Sequence, residues 1–131
     1  MCSDCEIIHK YTRSDAIADG VLVDLSANFP DECRQLYKYP IACTAAVWRI
    51  IEQSIAGDKT NSYKGVIWDL LWMSQKGITK RFDPTQHLFS VIITGAGGNR
   101  FERQRHYTFK ATCHPGDAGE PVITILQPDE D

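Results

Sequence analysis

Two stretches of the chain repeat their apolar residues every three or four positions, the spacing of one helix face. The first begins behind Thr44, a good N-cap residue, and places Ala45, Trp48, Ile51 and Ile55 together before Gly57 closes it. The polar run Asp58-Lys59-Thr60-Asn61 then leads into a helix from about Ser62, with Tyr63, Val66, Ile67, Leu70, Leu71 and Met73 on its apolar face. Gly77 is the expected stop, with Ile78 folding back onto Met73 as in a Schellman end. Lys76, Lys80 and Arg81 fall near that terminus, where the helix dipole favours cations.

Downstream the period changes to two. Phe89, Val91 and Ile93 share a face of Leu88–Thr94, and Tyr107, Phe109, Ala111 and Cys113 do so in His106–Cys113. Val122–Leu126 predicts a third strand, with turns at residues 95–99 and 115–119. Upstream, Thr12-Arg13-Ser14-Asp15 has the form of a capping box with aspartate in place of glutamate, opening a short helix that Gly20 ends. Val21–Leu25 has strand character, and Ser26–Lys38, with Pro30, predicts a loop containing one helical turn. Short links between sequential strands predict an antiparallel meander. The expected fold is α+β: an antiparallel sheet of three to four strands packed on two main helices, plus a short N-terminal helix.

Composition narrows the class. Apolar residues make up 43% of the 131 and charged residues 24%, which excludes wholesale disorder. That length fits one domain over 1–131, with residues 1–8 flexible and 127–131 an acidic tail. No apolar run approaches the about 18 residues a membrane helix needs, and the start MCSDCEIIHK lacks the basic-then-apolar form of a secretory signal. Five cysteines, an odd number, argue for reduced thiols and a cytoplasmic location. The net charge of −3 is unevenly distributed. Residues 1–75 carry seven Lys/Arg against ten Asp/Glu, residues 76–110 seven against two, and residues 111–131 only five acids. Such sorting either neutralises itself within the monomer or meets a partner of opposite sign.

Three blocks carry a resemblance to a known family: Tyr11 through Ser26 (YTRSDAIADGVLVDLS), Tyr39 through Trp48 (YPIACTAAVW) and Gly116 through Ile125 (GDAGEPVITI). Together they resemble the domain of unknown function numbered 6573, from about residue 9 to the end of the chain. The resemblance implies a setting among small bacterial proteins carried on plasmids, integrative elements and phages, and it implies no activity. The Cys2-Ser3-Asp4-Cys5 start and the Cys33–Tyr37 region depart from the family pattern.

Candidate chemistry is sparse. Cys2-x-x-Cys5 has the spacing of half a zinc site, without a second paired motif to complete four ligands. The glycine-rich run Gly95–Arg100 lacks the Lys-Ser/Thr of a phosphate loop and precedes a strand, so it reads as a hairpin turn. Cys113 and His114 point to opposite faces of a strand and cannot pair as nucleophile and base. Asp15 and Asp19 lie one turn apart and read as a cap and an exposed helix end. Trp48 is expected in the core, and core packing is the leading expectation for Trp68 and Trp72 as well; Trp68 lies a little off the centre of its helix stripe, and partial exposure of the pair is the alternative, which would suit an interface. No metal and no cofactor are expected.

The binding candidates are Arg100, Phe101, Arg103, Arg105 and Tyr107, because guanidinium groups interleaved with aromatic rings suit both protein hot spots and nucleic-acid contact. The leading expectation is a non-enzymatic binding protein acting by protein–protein contact. In the mobile-element setting its sharpest form is an inhibitor of a host defence complex, of anti-CRISPR or anti-restriction type. The alternatives are a nucleic-acid-binding accessory protein using residues 76–110, and a small enzyme with its site in a cleft between helices and sheet. No membrane partner is expected.

Overall fold

A computed structural model describes residues 11–57, 61–78, 86–94 and 104–130. The capping box forms as predicted: Asp15 N–H donates to Thr12 Oγ1 (3.0 Å) and Thr12 N–H to Asp15 Oδ2 (3.2 Å), starting α1 (Arg13–Ala18). Gly20, at φ 80°, turns the chain into β1 (Leu22–Asp24). Asp24 then caps α2 (Leu25–Asn28), and Pro30 opens α3 (Pro30–Leu36) at a position where its missing N–H costs nothing. The region predicted as a loop with one helical turn is therefore two short helices, with Leu25, Cys33 and Leu36 buried.

A further strand, β2 (Ile41–Thr44), precedes α4 (Ala45–Gly57) and α5 (Tyr63–Ile78). Ile41, Ala42 and Cys43 are all buried, so the strand has no polar alternation to betray it. The meander follows as β3 (Gln86–Thr94), β4 (Gln104–Pro115) and β5 (Pro121–Leu126). The sheet has five strands in the order β1-β2-β5-β4-β3. The class is α+β, as expected, and β3-β4-β5 pair antiparallel. The sheet is mixed rather than wholly antiparallel, because β2 lies parallel to β5, with Ile41 beside Ile123 and Cys43 beside Ile125.

One face of the sheet carries the core. Phe89 and Val91, Phe109 and Ala111, and Ile123 and Ile125 pack under Val47 and Ile51 of α4 and Ile67, Leu70 and Leu71 of α5. The α4 stripe runs through Val47, Ile51 and Ser54, leaving Trp48 half-buried at its margin against Tyr63 and Phe29. The hydroxyls of Ser54 and Ser74 are satisfied inside their helices, by Ile51 O and Leu71 O. Ser74 also meets the Tyr37 hydroxyl at 2.8 Å, and Gln75 Nε2 donates to Leu36 O, which fixes α3 on α5. α5 runs through Ile78, one residue past Gly77.

On the far face, α1 and the residues after β5 reach over the middle of the sheet, and Val122, Thr124 and Leu126 are buried there. The β3 end of that face is bare. Leu88 and Ile92 stand exposed, as do Ser90, His106 and Thr108.

Candidate functional site

One concavity is a groove of about 1150 Å³ between α1, the sheet and Glu130, lined by both polar and apolar groups. Its charged groups are tied into the fold. Arg13 donates from Nη1 to Thr124 Oγ1 (2.7 Å) and from Nη2 to Ile123 O (2.8 Å), while Asp117 accepts from the Arg13 and Ser14 backbone amides (2.8 and 3.0 Å). Burial pushes the Arg13 pKa down against the opposing charges of Asp24, Asp117 and Glu120, and a guanidinium stays protonated at neutral pH regardless. His114 Nδ1 lies 3.1 Å from Pro115 O, which can only accept, so the proton belongs on Nδ1. In the neutral imidazole Nε2 then accepts from the Thr124 hydroxyl at 3.1 Å. Arginine, hydroxyl, imidazole and carbonyl thus form a closed chain of donors and acceptors. His114 is bonded there to a hydroxyl and a carbonyl, not to the carboxylate that a catalytic base–orienter pair calls for. Cys113 packs toward the core on the opposite face, as strand alternation requires.

The acidic end is folded onto the same groove. Glu130 Oε1 accepts from Thr44 Oγ1 and from the Gln127 amide, and the Glu130 carbonyl accepts from Lys110 Nζ at 2.9 Å. Residues 127–130 are accordingly tied to β2 and β4 through Thr44 and Lys110.

Another concavity, apolar and of about 390 Å³, lies where α5 adjoins β3. Trp72, Met73, Val91 and Ile92 line it, with Asp69 and His106 at its rim. Trp72 is stacked on Trp68 (centroids 6.2 Å apart, planes at 19°), and Lys76 Nζ sits 4.9 Å from the Trp72 ring centre. Both indoles are thus held in place, Trp68 against the core and Trp72 facing outward. Among the described residues β3 has β4 on one side and no strand on the other.

The five nominated residues fare unequally. Arg100, Phe101 and Arg103 lie outside the described residues. Arg105 occupies β4 opposite Ile93. Tyr107 is half-buried and stacked parallel to Phe109 at 5.9 Å, so most of its ring belongs to the core. Leu88, Ile92 and Met73, which border the apolar groove or the bare face, were not nominated. For Leu88 and Ile92 the signal was an apolar residue out of phase with Phe89, Val91 and Ile93; Met73 and Tyr63, expected on the apolar face of α5, are instead exposed at the ends of its buried stripe.

Among the described residues no three His, Cys, Asp or Glu side chains gather as a metal site, and no helix is long and apolar enough to cross a membrane. Cys2, Cys5 and His9 lie outside them.

Over residues 1–131 the sequence matches the family described as a family of unknown function, DUF6573. The chain belongs to that family. No curated protein and no solved structure matches it. The three blocks that carry the family resemblance converge in this fold: Arg13 and Ser14 on Asp117, Arg13 on Thr124, and Ile123 N–H on Pro40 O at 2.8 Å. In this DUF6573 chain those blocks hold α1, β2 and β5 together.

Proposed function

We propose that the chain is a non-enzymatic binding protein that captures another protein through the β3–β4 ribbon and the adjoining face of α5. In the mobile-element setting that the family resemblance implies, the partner is a component of a host defence system and capture inhibits it. The observation that supports this reading is a group of exposed large apolar side chains on β3 and the adjoining face of α5, four of the eight such residues among those described. Trp72, Met73, Leu88 and Ile92 are 39%, 36%, 60% and 48% exposed, whereas the core residues facing the other way on β3 are buried. Apolar groups of that size cluster on a soluble surface chiefly where something covers them. A tryptophan among them, with arginines in the neighbouring sequence, has the composition of an interface hot spot.

The test is affinity capture from the natural host with the double variant Arg103→Glu/Arg105→Glu. The wild-type chain should retain one stoichiometric partner and the variant should lose it, with the thermal midpoint unchanged. Equal capture by the variant would remove the ribbon from the interface. Salt-sensitive retention of duplex DNA in a gel-shift, with no protein partner, would move the reading to nucleic acid.

A further inference from the structure

Between residues 69 and 76 the exposed positions of α5 are Asp69, Trp72, Met73 and Lys76, whereas Leu70, Leu71 and Ser74 are buried in the core. Residues three and four apart are neighbours on a helix surface, so the four exposed side chains form one stripe. The stripe is symmetric about the midpoint between Trp72 and Met73: Asp69 stands as far before it as Lys76 stands after it. About 10 Å of helix rise separates Asp69 from Lys76, too far for the two to pair on one helix.

That order of side chains complements a second copy of the helix lying antiparallel. A twofold axis through the midpoint sets Asp69 of each copy against Lys76 of the other and Trp72 of each against Met73 of the other, the reciprocity that an isologous interface requires. A parallel copy would set like charge on like. Thioether against indole is a favourable contact in its own right. The Trp72 ring is already held by Trp68 and Lys76, so little side-chain freedom is lost when it is covered. An ammonium carries three donors, so Lys76 can keep its place over Trp72 and meet a carboxylate as well.

Charge selects among occupants. An acidic segment laid on the stripe would meet Asp69, and a basic one would meet Lys76. The surface that satisfies both is one that carries an acid and a base at the same separation in the opposite order, and α5 of a second copy is such a surface. The apolar groove adjoins the stripe, with Asp69, Trp72 and Met73 on its α5 side and Val91, Ile92 and His106 on its sheet side. It gives the facing apolar side chains of the other copy a place to enter.

We infer that the outer face of α5 pairs with the same face of a second copy in an antiparallel, twofold-symmetric dimer, with Asp69 against Lys76 and Trp72 against Met73 in each half of the interface. This goes beyond the binding reading and shares the α5 face with it, so that dimer and host complex exclude each other there. Oligomeric state tests the one and host capture the other.

Sedimentation of the full-length chain over a concentration series reaching about 1 mM measures the association. The wild-type chain should dimerise, and Trp72→Ala should weaken the dimer by at least about tenfold, as loss of a central tryptophan does. Asp69→Lys and Lys76→Glu, each alone, should weaken it by about tenfold, because each turns both charge pairs from attractive to repulsive. An equimolar mixture of those two variants should regain a dimer of near wild-type affinity, since acid then faces base at both ends of the interface. Asp69 and Lys76 are exposed, so both charge variants should keep the wild-type thermal midpoint. A wild-type chain that stays monomeric throughout, a dimer indifferent to all three substitutions, or single variants that the mixture fails to restore would overturn the inference. A monomeric chain whose host capture is lost on Trp72→Ala would give the α5 face to the host partner alone, overturning the dimer and leaving the binding reading intact.

Discussion

A single carboxylate, Asp117, holds the start of α1 from 104 positions along the chain, and the Arg13 side chain ties the same helix to β5. Asp117→Ala leaves two helix-start amides to water, and the loss of a cap of this kind costs about 1 kcal/mol. Thermal unfolding should show the midpoint falling by about 4 °C. Two cysteines give a pH signature. Burial pushes Cys33 up to about 11 and Cys43 up to about 12, from an ordinary 9.0. Above pH 9.0 the unfolded chain therefore ionises its thiols while the folded chain keeps them protonated. The unfolded state then binds fewer protons, so stability falls as pH rises from about 9 toward 11. Denaturant titrations at stepped pH should show that decline, and a Cys43→Ala variant should show a shallower one. Neither thiol should react with a labelling reagent at neutral pH unless the chain is unfolded.

At the scale of elements, β2 and β3 respond in opposite ways to truncation. Ile41 is buried between strands and helices, and Ile41→Ala should cost about 2–5 kcal/mol. Leu88 stands on the bare face, and Leu88→Ala should stay within about 0.5 kcal/mol. Equilibrium unfolding of the two variants decides this. The period was legible in the elements with a solvent-facing side, α4, α5, β3 and β4, whereas β5, buried on both faces, was legible from its β-branched run between the 115–119 turn and Pro128. The capping box at Thr12 was legible because it is a local hydrogen-bond pattern, confirmed by both of its bonds. β2 was not, since a strand buried on both faces reads as an apolar run that Thr44 and Ala45 then absorb into the following helix. α3 was hidden by Pro30, which looks like a break but stands at the first turn of a helix, where it is favoured.

For the molecule as a whole, helices shield one face of the sheet, and α1 with the folded-in chain end shields the middle of the other. That division leaves the β3 edge and the outer side of α5 as the exposed apolar region. Part of it was legible: Trp72 falls off the buried stripe of its helix, and the basic 76–110 stretch brackets β3. The groove itself was not, because strand order is a non-local property and nothing within QHLFSVIIT says that it ends the sheet. Tyr107 was nominated as an aromatic ring interleaved with arginines on one strand face, and in β4 that ring stacks on Phe109. The central claim is that β3 ends the sheet among the described residues and borders the surface used for binding, and residue-resolved amide hydrogen exchange on the free chain measures its place in the sheet directly. With β4 as its one strand neighbour among the described residues, β3 should alternate slow and fast amides along Phe89–Thr94, while β5, between β2 and β4, should be slow at Ile123, Thr124 and Ile125. Uniformly slow exchange along β3 would mean that its outer side is already satisfied, and would contradict the account.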